Sequence, residues 1–261
     1  MIYSSSTTNI FLEVSQFNYD SAQKTIAFIS FNFLIIILAY LWGSLNTSIL
    51  VSKFIFKNDI RQYGSGNAGS TNIKRKFGTK VAGLIFLTDI LKVYLVSVIL
   101  YFTNNYAVGF EATNGMKSIF VVVPQLAIAA IVVGHIYPIF FKFKGGKGAA
   151  TLVGFYLSVN IILFLIGFVL WVTILYTSKM ASVATTLANL IAIPLFFIPW
   201  FDTSVLGFLI PDWPSIGSYP LSTLHSGLIF LVTSALVIFS HRSNLARVFK
   251  GEERKIKSKK A

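Results

Sequence analysis

The chain is punctuated by apolar runs about as long as a bilayer is thick. A helix needs roughly 20 apolar residues to cross the ~30 Å hydrocarbon core. Stretches of that kind recur at about 25–50, 81–103, 118–141, 182–199 and 223–240. Hydrocarbon offers the backbone no hydrogen-bond partners, so a crossing segment must satisfy its own, as a helix does. Of the 261 residues 55% are hydrophobic and only 12% charged, with a mean hydropathy of +0.73. Nothing is left over from which to build a soluble domain. The expected fold class is therefore an all-α integral membrane protein. There is no cysteine, which excludes disulfides and thiolate chemistry. Three histidines without cysteine give no zinc site, so no metal is expected. No cofactor motif is found, and nucleic acid is not an expected partner.

Residues 149–177 are long for one crossing and short for two, and charge decides between them. The formal charge of +13 comes mostly from four basic segments. These are Lys53 to Lys80, Lys142 to Lys147, Lys179, and the tail from Arg242 to Lys260. Basic loops stay on the cytoplasmic side. All four share that side only if 149–177 crosses twice, breaking near Ser158-Val159-Asn160. Seven transmembrane helices follow, with the N-terminus outside, the C-terminus cytoplasmic and the fourth span short or shallow. The outer loops then hold Glu111, Asp202 and Asp212 with only Lys117. The domain reading is a polar arm at 1–24, a transmembrane domain at 25–242 and a basic tail at 243–261. The stretch 199–220 is an outer loop. No basic segment precedes an early apolar run, so no cleaved signal peptide is expected.

Three polar clusters fall on the cytoplasmic face in this topology. The first runs from Arg61 to Arg75 and contains Gly64, Ser65, Gly66, Asn67, Gly69, Ser70, Thr71 and Asn72. Its G-x-G-x-x-G lacks the preceding strand of a dinucleotide fold. The residue types instead suit an anion, since glycines let backbone N–H groups approach and arginine clamps. The plain alternative is a flexible loop. The second cluster, Lys142 to Thr151, has Lys144, Gly145, Gly146, Lys147 and Gly148 before a helix start. It is not a Walker A loop, but it has the parts of a phosphate cradle. The third, His241-Arg242-Ser243-Asn244, places His241 and Asn244 on one helix face. Boundary residues snorkelling to water are the alternative there. His135 sits late in the third span, near the same face. Asp89 and Lys92 lie within the second span at i,i+3, where mutual neutralisation makes a structural pair the expected reading.

At these residues the chain resembles the PlsY family, the acyl-phosphate:glycerol-3-phosphate acyltransferases of bacterial membranes. The likeness runs from about Ala39 to Lys255. Its motifs are Ala39 to Ser44, the glycine-rich block at 64–75, Asp89-x-x-Lys92, Gly134-His135 with Pro138, Lys144 to Thr151, and His241-Arg-x-Asn244. Ser70 and Ser243 depart from the usual pattern. The resemblance implies seven spans in the cell membrane and an active site facing the cytoplasm. It implies transfer of an acyl group from acyl phosphate to glycerol 3-phosphate, giving lysophosphatidate and phosphate. No cofactor is needed, because acyl phosphate is already activated. Membrane lipid and the enzyme that supplies acyl phosphate are the further partners implied. Lys147 with Gly145, Gly146, Gly148 and Lys144, and Ser65 with Gly64, Gly66 and Asn67, are then expected to bind phosphate. Arg75, Thr71, Asn72 and Ser182 are further expected anion ligands. His241 and Asn244 are expected to orient the glycerol hydroxyl or the oxyanion. The rival reading is a transporter of a small phosphorylated solute, but transporters place polar sites near the midplane.

Overall fold

The structure, a computed structural model, describes residues 21–109, 122–203 and 221–256. Most of the polar arm, most of the 199–220 loop, and Glu111, Lys117 and Asp212 lie outside the described residues. The rest is helical, and no strand occurs among the described residues. Helix α1 (Ser21–Ser44) runs through a break at Asn46 into a short α2 (Thr47–Leu50) and a π turn (Val51–Ile55). An amphipathic α3 (Ser70–Phe77) precedes the long α4 (Thr79–Gly109). Then come α5 (Pro124–Ile136), α6 (Ala149–Val159), α7 (Ile161–Ser178) and α8 (Ala181–Ala192), the last extended by a 3₁₀ turn (Ile193–Phe197). Helices α9 (Pro199–Thr203), α10 (Leu221–Ser240) and α11 (Arg242–Phe249) complete the described chain.

Helix occurs at every expected span, but the lengths differ. Four segments are long and apolar enough to cross a bilayer unaided: Thr25–Ile55, Thr79–Asn104, Pro124–Phe141 and Ile161–Ser178. A fifth is reached if α10 and α11, bent by 57° at His241, count as one span. Ala149–Val159 and Ala181–Phe197 are shorter. At 1.5 Å per residue, α6 is only about 16 Å long, roughly half the hydrocarbon core.

The 149–177 stretch breaks where its sequence changes character. Asn160 caps α7 by accepting from Ile162 N (2.7 Å), and its Nδ2 donates to Phe201 O (3.0 Å). The short α6 is held by aromatic packing. Phe196 and Phe230 stack with centroids 3.5 Å apart, and Phe155 and Tyr156 of α6 meet Phe230 edge-on at 5.4 and 5.1 Å. Such pairs add about 0.5–1.5 kcal/mol each beyond area burial. Helices α1 and α5 cross closely. A methyl on Gly43 would overlap the Ile131 backbone, and one on Gly134 would overlap that of Tyr40. Lipid tails give apolar helices no incentive to associate, so this contact of small residues supplies the packing. The crossing sets His135, at the end of α5, beside α4.

Candidate active site

The glycine-rich loop after α2 is shaped by one buried side chain. Asn72 accepts from Ser65 N (3.3 Å) and donates to Ile60 O, Tyr63 O and Asn67 O (3.1, 2.8 and 3.1 Å). With its polar atoms all engaged, Asn72 is a clasp for the loop. Gly66 N donates to Tyr63 O (3.0 Å), and Ala68 N to Gly145 O (3.3 Å). Arg61 turns away, pairing with Asp59 (2.8 Å) and donating to Phe141 O (2.9 Å). It ties this loop to the next one.

The second glycine loop does something other than cradle an anion with its first two glycines. Gly145 N donates to Ile136 O (3.2 Å) and Gly146 N to His135 O (3.0 Å). A methyl on either would collide with the end of α5. These glycines let the loop lie on the α5 terminus, while Lys144 is exposed. Lys147 and Gly148 then emerge at the start of α6. Lys147 Nζ donates to Asn244 Oδ1, and Asn244 Nδ2 donates to Glu253 Oε1 (2.5 Å). Glu253 also accepts from Ser182 Oγ (3.0 Å) and Arg247 Nε (2.9 Å). The chain after α11 thus folds back over the site, and Ile256 N donates to Lys179 O (2.7 Å). Burial pushes the Lys147 ammonium down to about 8; Arg247 and Arg75 add to the shift and Glu253 opposes it. Burial would raise Glu253, but its bonds from Asn244, Ser182 and Arg247 outweigh that and hold the carboxyl below its ordinary value.

These elements enclose a cavity of about 600 Å³. It draws together Gly64, Ser65, Asn67, Thr71, Asn72, Arg75, Lys147, Gly148, Ser182, His241 and Asn244. Gly66 and Gly146 line an adjoining hollow of about 320 Å³ behind Lys147, and Lys144 and Gly145 line neither. Four helices begin at the main cavity: α3 at Gly69, α6 at Gly148, α8 at Met180 and α11 at His241. None of the four has a side-chain cap. Elsewhere α2 and α7 are capped by Asn46 and Asn160, and α5 starts at Pro124. Uncapped helix starts present free N–H groups and the positive end of the dipole. Lys74, Arg75, Arg247 and Arg254 join Lys147 around them. One wall is apolar, with Ala82, Gly83 and Phe86 of α4 facing Trp171 and Leu175 of α7.

His241 is buried, and its Nδ1 lies 2.8 Å from Val237 O. A carbonyl can only accept, so Nδ1 carries a proton and Nε2 of the neutral ring is an acceptor. Below the basic rim, Asp89 and His135 line the cavity floor. Asp89 Oδ1 takes Lys92 Nζ (3.1 Å) and Thr47 Oγ1 (3.0 Å), so the expected i,i+3 pair forms. Lys92 Nζ also contacts His135 Nδ1 (3.1 Å). Asp89, His135 and Glu253 were not assigned to the site from sequence. Glu253 had no local signal at all, since a carboxylate in a basic tail reads as solvated charge.

The fold and site define a multi-pass membrane protein with an uncapped, cation-rimmed cavity suited to an anion and with one apolar wall. The chain belongs to the glycerol-3-phosphate acyltransferase family, whose model matches residues 33–251. The glycerol-3-phosphate acyltransferase of Mycoplasmopsis pulmonis is 45% identical over 220 residues, covering 84% of this chain and 90% of that one. That of Mycoplasma mobile is 35% identical over 232 residues, covering 88% and 94%. Among solved structures, PlsY, an integral membrane glycerol 3-phosphate acyltransferase, matches in its glycerol 3-phosphate form. Its TM-score is 0.64 and its identity 28%, over 87% of this chain and 96% of that one. Its lysophosphatidic acid form matches with a TM-score of 0.63. The chain is thus a membrane acyltransferase of phospholipid synthesis, and the transporter reading falls away.

Proposed function

We propose that this protein transfers a fatty acyl group from acyl phosphate to glycerol 3-phosphate, releasing lysophosphatidate and phosphate. The observation that carries the reading is the convergence of four uncapped helix starts and Lys147 on one cavity with an apolar wall. Such a site suits two phosphates and a hydrocarbon chain at once. The acyl chain lies between α4 and α7 past Phe86 and Trp171, and both phosphates lie under the basic rim. His241 Nε2 receives the hydrogen bond of the attacking hydroxyl. As the new ester C–O bond forms, His241 Nε2 takes the hydroxyl proton, the bond from the carbonyl carbon to the phosphate oxygen breaks, and the proton passes from Nε2 to the released phosphate. Lys147 and the helix starts stabilise the charge on that leaving group. Held in line by binding alone, the two substrates need no covalent enzyme intermediate.

The same reading takes α6 and α7 as two crossings and α8 as another. That gives seven spans, an outer N-terminus and a cytoplasmic site in the bacterial cell membrane. The chain divides into an arm at 1–24, a catalytic bundle at 25–242 and a tail at 243–261. Ser65, Arg75, Thr71, Ser182 and Gly148 are assigned to the anions, and Gly145 and Gly146 to seating the loop that carries Lys147. The enzyme that makes acyl phosphate is the natural partner. Purified protein given palmitoyl phosphate should make lysophosphatidate only when glycerol 3-phosphate is added. His241→Ala in folded protein should cut the rate at least about a hundredfold; near-normal turnover would remove His241 from the mechanism.

A further inference from the structure

The floor of the cavity holds charge that the transfer reaction does not use. Asp89 is 2% exposed, Lys92 5% and His135 3%, all inside membrane-spanning helices. Ionisable groups in hydrocarbon are costly enough that a purely local pair needs a reason to persist there. Two features of the geometry suggest one. Every bond made by the Asp89 carboxylate goes to a single oxygen. Thr47 Oγ1 and Lys92 Nζ reach Oδ1 at 3.0 and 3.1 Å, and His135 Nδ1 lies 3.6 Å from the same atom. Oδ2 therefore keeps its full accepting capacity, on a residue that lines the cavity. The second feature is the tautomer of His135. An ammonium has no lone pair, so the 3.1 Å contact between Lys92 Nζ and His135 Nδ1 makes Nδ1 the acceptor. The ring proton then sits on Nε2, which has no partner among the described residues and belongs to a second cavity-lining side chain. Lys92 thus sets both neighbours: it occupies one carboxylate oxygen and fixes the imidazole proton on the far nitrogen.

We infer that Asp89 Oδ2 and His135 Nε2–H form an acceptor–donor pair that reads a hydroxyl of the acyl acceptor, the C2 hydroxyl of a glycerol phosphate. A hydroxyl is the group that both donates and accepts, so it satisfies both atoms at once. Neither a phosphate nor an acyl chain does this: the carboxylate repels the first, and the second leaves both atoms unpaired. The floor and the rim then divide the work. The basic rim holds phosphate, His241 offers an acceptor to the attacking hydroxyl, and the floor distinguishes a polyol phosphate from a simple alcohol phosphate. This inference rests on the acceptor being glycerol 3-phosphate. A buried site built around a substrate hydroxyl rejects an analogue lacking it far more strongly than an apolar pocket rejects a missing methylene, because its polar groups are left unpaired.

The test compares two acceptors in the purified wild-type enzyme with palmitoyl phosphate as donor: glycerol 3-phosphate and 3-hydroxypropyl phosphate. The second keeps the primary alcohol and phosphate but lacks the C2 hydroxyl. We expect kcat/KM to favour glycerol 3-phosphate by at least about a hundredfold. In Asp89→Asn and His135→Gln the preference should narrow to about tenfold or less, through loss on glycerol 3-phosphate. A merely structural role for the floor would lower both acceptors in proportion and leave the ratio unchanged, which overturns the inference. Equal use of the two acceptors by the wild type also overturns it, whether or not the variants fold. A wild type that transfers to neither acceptor contradicts instead the proposed reaction on which the inference rests.

Discussion

At the residue scale the account turns on Lys147, the cation placed where α6 begins. Its ammonium is held down to about 8 by burial first, then by Arg247 and Arg75. The protonated form binds anions, so raising the pH through about 8 removes the binding form. Because kcat/KM reports the free enzyme, it should fall about tenfold per pH unit above an apparent pKa near 8. A rate profile at low acceptor concentration that stays flat to about pH 10 would contradict this. Lys147→Ala should lower turnover by about 10²–10³-fold, the usual cost of removing one preorganised charge-stabilising group; turnover within a few fold of wild type, in folded protein, would remove Lys147 from the site. Some of this was legible in sequence and some not. Asp89 and Lys92 announced themselves by i,i+3 spacing in an apolar helix, and His241 with Asn244 by facing one way. The roles of Gly145 and Gly146 were not legible. A glycine that admits a phosphate and one that admits a neighbouring backbone look identical in sequence, and here the neighbour is the end of α5.

At the element scale, the site is an arrangement of helix starts. The break near Ser158-Val159-Asn160 was readable from the length and flanking charge of 149–177, whereas the cap that Asn160 supplies there emerged only with the fold. The absence of caps on α3, α6, α8 and α11 became meaningful only once the four starts were seen to meet. Asn160→Ala removes a cap and the bond to Phe201 O together, and should destabilise the detergent-solubilised protein by about 1–2 kcal/mol; an unchanged thermal midpoint would show that the break holds without it. Glu253 joins the tail to α8 and α11 through Ser182, Asn244 and Arg247. Glu253→Ala leaves those groups unpaired near one another and should cost about 1–3 kcal/mol. It should also lower activity more than stability alone explains, because Asn244 loses the bond that fixes its carboxamide toward Lys147. Full activity at permissive temperature in Glu253→Ala would separate the tail from the chemistry.

At the scale of the whole molecule, the seating of the short helices in the bilayer sets which loops share a face. Charge placed 142–147 and 179 on one side, which requires α6 and α7 to cross as a pair, although α6 spans only about half the core. The chain has no cysteine, so one introduced thiol reports its own side. Lys142 and Lys179 are both exposed. Lys142→Cys and Lys179→Cys should both react with an impermeant maleimide only after cells are opened. Labelling of one of them in intact cells would mean a single crossing between them. Such a result would move the tail, and Glu253 with it, to the opposite face from Lys147, against the contacts that join them.

The central claim is the reaction itself, and it is tested most directly by phosphate release. Purified protein would be given palmitoyl phosphate with and without glycerol 3-phosphate, and its lipid products followed in parallel. The account predicts phosphate and lysophosphatidate in equal amounts, and only when both substrates are present. Intact acyl phosphate in the presence of folded protein and glycerol 3-phosphate would contradict it, and with it the choice of acyl phosphate as donor.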